Sequence, residues 1–252
     1  PRIILNKYNA IKMIDTLDEK IDHLEKIGID HLIVHPFDKK FSLLSADQFI
    51  KDHLVEKLKL KHIIIGYDHR FGKGREASVT DLKEYSSEFN FVVDEIDAQE
   101  IEKIAISSTK IRNSINEGDL KTTKIYLERF FSLTGKVVKG DGLGKQIDYP
   151  TANISIEEDY KIIPKDGVYY IKTTIDNNLY NGMMNIGHRP TIGTKEKSIE
   201  VNLFNFDRDI YDRVISIDVV EKIRDEKKFA SIEALKTQLA KDQEHCLKLI
   251  NK

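Results

Sequence analysis

The spacing of the apolar residues changes near residue 130, and that change limits the chain to a fold with two parts. From Thr134 onward apolar residues recur at every second position between turn residues, Asp176-Asn177-Asn178 being a clear tight turn. Alternation of this kind builds strands with one buried face, and several short strands divided by such turns form an antiparallel barrel or sandwich. Upstream the pattern is different. Leu17, Ile21, Leu24 and Ile27 are spaced for one helix face, and Gly28 stops that helix. Leu32-Ile33-Val34 reads as a short buried strand. Ser45 caps a second helix carrying Phe49, Ile50, Leu54 and Leu58, and His62-Ile63-Ile64-Ile65 reads as a buried strand ending at Gly66. Residues 90–96 add another strand, so helix and strand alternate as in a parallel α/β sheet. Residues 109–117 and 119–131 read as helices, the second bridging the two parts. Residues 231–250 close the chain with a helix carrying Ile232, Leu235, Leu239, Cys246, Leu247 and Ile250.

Composition narrows the class. A chain of 252 residues with 40% hydrophobic residues, 11 Phe and 10 Tyr has enough apolar material for two modest cores. Lys and Arg number 40 against 42 Asp and Glu, and a net charge of −2 gives no general attraction to nucleic acid or to an anionic membrane. No apolar run approaches the roughly 18 residues that a membrane helix needs. A single cysteine, Cys246, excludes a disulfide framework and a cysteine-rich zinc site, and half-buried packing on the last helix is its expected role. The 8 histidines are scattered without His-Glu-x-x-His spacing, which argues against zinc. A reducing cytoplasm is the simplest compartment.

Chemistry concentrates downstream of the pattern change. The run Gly135 to Ile154 reads as a strand, a glycine loop and then polar ligands. Gly140, Gly142 and Gly144 permit positive φ and leave backbone N–H groups open to an anion, and Lys139 and Lys145 bracket the loop with positive charge. Thr151 and Asn153 point one way from the segment after Pro150 and are suitable hard ligands for a magnesium–phosphate unit. On composition alone, a glycine loop in an all-β region is more often a tight hairpin than a phosphate loop. On the following strand pattern Ile199, Val201 and Leu203 form one face, which leaves Glu200 and Asn202 on the other. Arg224 and Glu226 read as a surface ion pair. Ser107, Ser108 and Thr109 form a helix N-cap cluster, and with Arg112 they also fit an anion site.

The ordered series from the glycine loop with Pro150-Thr151-Ala152-Asn153, through Asn185-Ile186-Gly187-His188-Arg189-Pro190-Thr191 and Glu200, to Ile223-Arg224-Asp225-Glu226-Lys227-Lys228-Phe229 resembles riboflavin kinase. The resemblance covers about 120 residues from Ser132 to the C-terminus. Upstream, Gly66-Tyr67-Asp68-His69-Arg70-Phe71-Gly72 and Ser107-Ser108-Thr109-Lys110-Ile111-Arg112 are similar to the FMN adenylyltransferase half of bacterial bifunctional riboflavin kinase/FAD synthetase. His69 stands where that family usually has Phe, and Ala77 where it has Gly. The family's Gly-x-Phe-Asp-Gly-Val-His-x-Gly-His loop does not occur. The chain starts at Pro1, and the expectation is that an N-terminal piece carrying that loop is left out or was lost in the gene, with FAD synthesis belonging to the full-length parent.

The resemblance implies specific roles. Glu200 would be the general base toward the ribityl 5′-hydroxyl. Gly140, Gly142, Gly144, Lys145, Thr151 and Asn153 would hold the nucleotide phosphates, the last two with Mg2+. Arg189, Arg224, Glu226 and Phe229 would contact the flavin, and Ser107, Ser108, Thr109 and Arg112 the phosphates of ATP in adenylyl transfer. The family's usual His two residues after the base is Asn202 here. The expected fold is α/β plus β: an incomplete Rossmann-like nucleotidyltransferase domain over residues 1–124, then a six-stranded antiparallel β-barrel riboflavin kinase domain with a C-terminal helix over residues 125–252. Expected partners are riboflavin, FMN and ATP or ADP, without nucleic acid or membrane. Two other classes stay in view: a flavin- or nucleotide-binding module without catalysis, which would lack Glu200 or the Thr151 and Asn153 pair, and a nucleic-acid-binding barrel, which would carry a basic face with interleaved aromatics.

Overall fold

The computed structural model describes residues 11–96, 106–140, 142, 144, 147–188 and 197–250. The chain divides into two compact units, one containing His31–Ile106 and the other made from Lys12–Asp30 together with Ser107–Lys252. Helix α1 (Leu17–Ile27) thus belongs to the downstream unit, and the 124/125 boundary placed by the motifs falls within helix α5 of that unit (Leu120–Leu127).

In the upstream unit, helix α2 begins as Ala46–Gln48 and continues as a π-helical stretch, Phe49–Lys57. Ser45 caps it reciprocally: Gln48 N donates to Ser45 Oγ and Ser45 N donates to Gln48 Oε1. Strands β1 (His62–Gly66) and β2 (Val92–Ile96) pair in parallel, joined through helix α3 (Val79–Phe89). Ile50, Ile65, Val79, Leu82 and Phe91 make the core. Leu32-Ile33-Val34 is not a strand; these side chains are 44%, 61% and 51% exposed. Among the described residues no strand pairs with it, and without a ladder to satisfy its backbone an apolar run does not hold a buried strand position.

The downstream unit is built on six strands: β3 (Phe131–Val138), β4 (Ala152–Ser155), β5 (Gly167–Ile175), β6 (Asn178–His188), β7 (Lys197–Leu203) and β8 (Val214–Arg224). They form a closed antiparallel barrel in the order β3-β4-β7-β6-β5-β8, and pairs from Phe131↔Val219 to Lys136↔Val214 close it. The β5–β6 turn has positive φ at Asp176 and Asn177, as the twist of a two-residue hairpin requires. Leu133, Ile171, Met184, Ile186 and Ile217 are fully buried inside the barrel, and Ile111, Ile115 and Leu120 of helix α4 (Ser108–Glu117) and α5 join that core. Helix α6 (Ile232–Ile250) contributes to a second cluster on the outward faces of the strands, containing Val168, Tyr170, Met183, Phe204 and Cys246. Cys246 is fully buried rather than half-buried, because the α6 face that carries it meets apolar strand residues instead of water. Burial pushes its thiol up to about 12.

One polar network is sealed into this unit. Thr16 and Glu19 cap α1 reciprocally, and Gly28 ends it in the left-handed region. Glu19 also accepts from Thr134 N of β3 (2.9 Å) and from Lys161 Nζ, which donates in addition to the Ile14 carbonyl (2.7 Å) and lies over the Phe131 ring. The Glu19 side chain is 3% exposed and that of Lys161 not at all. Burial holds the Lys161 ammonium below its ordinary pKa even with Glu19 beside it. Removing one member of such a pair leaves an uncompensated buried charge, at a cost of about 3–5 kcal/mol. Glu19→Ala is therefore expected to destabilise the downstream unit by about that amount at pH 7 in urea titrations. The variant's folded Lys161 has a depressed pKa while the unfolded one does not, so the unfolded state binds more protons and the deficit shrinks as pH rises toward the unfolded value. A deficit that is the same at pH 7 and pH 9.5 would contradict this.

Candidate active site

The outer face of the barrel carries a row of polar side chains because the strand registers align them. Ile199, Val201 and Leu203 point into the core and are nearly buried, so Glu200 and Asn202 face outward. Glu200 lies directly opposite Asn153 of β4 and, on the other side, opposite Asn185 of β6. Side chains opposite one another in antiparallel strands are near neighbours, with Cβ atoms about 5 Å apart. Asn153, 6% exposed, and Glu200 thus adjoin although 47 positions separate them in sequence. Asn202 donates from Nδ2 to the Pro150 carbonyl (2.7 Å), which ties β7 to the turn preceding Thr151.

The glycines stand where this row needs space. A Cβ at Gly140 would lie 1.9 Å from Asn153 Nδ2, and one at Gly144 would lie 2.3 Å from the Tyr149 carbonyl and 3.1 Å from Thr151 Oγ1. Gly142 has open space but a φ of +71°, so backbone conformation demands glycine there. The loop backbone therefore lies against both Thr151 and Asn153. Lys145 and Arg189 lie outside the described residues.

A cavity of about 230 Å³ opens beside the row. Gly144, Thr151, Asn185 and Glu200 line it with polar atoms; Tyr149, Val168, Met183, Phe229, Leu235 and Leu239 give it an apolar wall. Arg224 and Glu226 line it as well, but they do not pair with each other. Arg224 is bound to Asp242 of α6, with Nη2 to Oδ2 at 2.8 Å, and its guanidinium lies over the Phe229 ring at 5.7 Å. The Glu226 carboxylate instead packs over Gly187, where a Cβ would lie 2.2 Å from Oε1. Thr151, Glu200, Arg224, Glu226 and Phe229 thus line one cavity with Gly144, and Gly140 and Asn153 adjoin it through the Glu200 row. Ser107, Ser108, Thr109 and Arg112 sit elsewhere, at the N-terminus of α4. Ser107 Oγ accepts from Lys110 N (3.3 Å) as a cap, and Arg112 Nε donates to the Lys12 carbonyl (2.9 Å). Sequence reasoning missed Asn185 and Asp242. The alternation of β6, where Met184 and Ile186 face the core, puts Asn185 on the outer face, but its place opposite Glu200 carried no local signal, and neither did Asp242.

A barrel that sets a carboxylate opposite an amide beside a glycine-lined edge and an apolar cavity is of the flavokinase class: a family profile described as riboflavin kinase matches residues 127–250. A second, described as FAD synthetase, matches residues 1–110. The chain belongs to the bifunctional riboflavin kinase/FMN adenylyltransferase family. It is 38% identical over 255 residues to the protein of that name from Buchnera aphidicola subsp. Schizaphis graminum, covering 100% of this chain and 81% of the relative. It is 36% identical to the Haemophilus influenzae protein of the same name, covering 97% of this chain and 79% of the relative. A solved Streptococcus pneumoniae structure described as a macrolide-efflux protein superposes with a TM-score of 0.84 at 33% identity, covering 97% of this chain and 79% of that one. Among the described residues here, no helix is long and apolar enough to cross a membrane.

The glycine geometry separates two kinds of requirement. Gly140→Ala should displace the Asn153 side chain and leave the barrel folded, because the new methyl meets only the end of a side chain. Gly142→Ala should destabilise the loop by about 1–2 kcal/mol through its positive φ and leave Asn153 in place. Side-chain amide resonances and thermal unfolding measure the two effects, and an unmoved Asn153 resonance in Gly140→Ala would refute the contact.

Proposed function

We propose that the barrel transfers the γ-phosphoryl group of ATP to the 5′-hydroxyl of riboflavin, giving FMN and ADP. The observation that carries this reading is the placement of Glu200, opposite Asn153 and in the lining of a largely apolar cavity. The isoalloxazine ring is planar and largely apolar, which suits the wall of Tyr149, Met183, Phe229 and Leu239. The ribityl chain then reaches toward Glu200, whose carboxylate accepts the proton of the attacking hydroxyl. Phosphoryl transfer depends chiefly on positioning and charge neutralisation, so the loop backbone N–H groups around Gly140 to Gly144 are as important as the base.

Thr151 and Asn153 supply neutral oxygen donors at this edge. No cluster of three or more His, Cys, Asp or Glu side chains among the described residues is placed to hold a metal. That donor set suits a magnesium ion that arrives with nucleotide phosphates and keeps few protein ligands. When bound, Mg2+ would offset the charge of the phosphates; Thr151 and Asn153 would hold it. For FMN adenylylation, the second activity named for the family, Ser107, Ser108, Thr109 and Arg112 at the N-terminus of α4 are our proposed phosphate contacts, and we expect negligible FAD formation from these 252 residues.

Chromatographic separation of flavins after incubation with riboflavin, ATP and magnesium tests the activity, and failure to form FMN would exclude it. Glu200→Gln keeps the shape of the side chain and removes the base. It should lower kcat about 100-fold or more with riboflavin and MgADP affinities nearly unchanged. Thr151→Ala or Asn153→Ala should instead weaken ADP binding in the presence of magnesium and raise the magnesium concentration needed for turnover. Calorimetry with and without the metal separates these outcomes. Normal turnover by Glu200→Gln would show that the base lies elsewhere.

A further inference from the structure

The α6 face that covers the cavity carries Leu235, Gln238, Leu239, Asp242 and Cys246 at helical spacing. Asp242 interrupts this stripe with a carboxylate that is 2% exposed. A leucine there would extend the apolar face at no desolvation cost, so the charge calls for a partner that needs it. That partner is Arg224. Its Nε donates to Oδ1 (3.1 Å) and Oδ2 (2.9 Å), its Nη2 lies 2.8 Å from Oδ2, and Gln238 Nε2 donates to Oδ1 (2.8 Å) from the preceding turn. Arg224 Nη1 donates to the Asp225 carbonyl (3.1 Å). One edge of the guanidinium is thus occupied by a fixed carboxylate, and its Cζ lies over the Phe229 ring, 5.7 Å from the centroid.

We propose that Asp242 is a positioning residue for flavin binding: by fixing the guanidinium plane of Arg224, it makes Arg224 and Phe229 a preformed wall for the isoalloxazine ring. The inference rests on the kinase reading and adds to it a residue on α6 that does not itself line the cavity. Arg224 then acts through its plane, with its charge matched by Asp242. A planar, delocalised cation suits this use, and a lysine ammonium does not. Because the wall belongs to the flavin side, its loss should be felt by riboflavin and not by the nucleotide.

The test measures KM for riboflavin, kcat and MgADP affinity in Asp242→Asn, Arg224→Lys and Gln238→Leu. Asp242→Asn and Arg224→Lys should each raise KM for riboflavin about 10-fold or more, with MgADP affinity within about twofold of the parent, as misplacement of a binding surface predicts. Gln238→Leu, which leaves the ion pair but removes one of its supports, should raise it about threefold. A purely structural residue would weaken both ligands together, and that result, or an unchanged riboflavin KM, overturns the proposal. If Asp242→Asn is isolated unfolded, Gln238→Leu and Arg224→Lys decide in the same terms. Absence of FMN from the parent chain would remove the kinase reading and this inference together, whereas an active parent with unaffected variants would remove this inference alone.

Discussion

Strand β3 is hydrogen-bonded along both edges, to β4 on one side and to β8 on the other, and this double pairing closes the barrel. Closure gives each barrel strand a hydrogen-bonded neighbour on both sides among the described residues. It also fixes every register around the circle, since a slip in one pair would have to be matched by the others. The outward row on β4, β7 and β6 depends on this constraint. A shift of one residue in β7 would turn Glu200 into the core and bring Ile199 or Val201 to the surface. The site is therefore held by the same hydrogen bonds that hold the fold.

Two buried ion pairs then attach helices to the barrel. Glu19 and Lys161 fasten α1, and Arg224 and Asp242 fasten α6. Each couples a charge on a helix to one on the barrel or on a segment leading from it, and each carboxylate accepts further hydrogen bonds that complete its shell. Buried pairs of this kind add little net stability compared with apolar packing, but they penalise any arrangement in which the partners do not meet. They select one docking geometry for each helix.

The parts of this structure that were legible in the sequence are those governed by local chemistry. Gly28 and the Asp176-Asn177 turn were readable because a helix stop and a two-residue hairpin each demand particular residues at particular places. The strands of the barrel followed from their alternation, which also put Glu200 on the outer face. Features that depend on pairing across long stretches of chain were not readable. Leu32-Ile33-Val34 has the composition of a buried strand, yet it has no described neighbour to pair with. Asn185 shares a face with Met183, and only the β6–β7 register brings it to Glu200. Arg224 and Glu226, two positions apart, suggested a mutual ion pair. In the fold, Arg224 turns to a helix 18 residues further on and Glu226 covers Gly187. The residues that resembled a kinase site were found by motif, while the reason they converge lies in the closure of the barrel.

The Glu19–Lys161 contact joins residues 142 positions apart, and His31–Ile106 of the upstream unit lies between them. At a synthesis rate of about 5–20 residues per second, Glu19 leaves the ribosome roughly 7–28 seconds before Lys161. Until Thr134 and then Lys161 emerge, α1 has neither the β3 N–H that Glu19 binds nor its buried partner, and an isolated 11-residue helix is marginal in water. Helix α1 is thus made well before the residues that hold it in place, and His31–Ile106 is synthesised before α1 can dock.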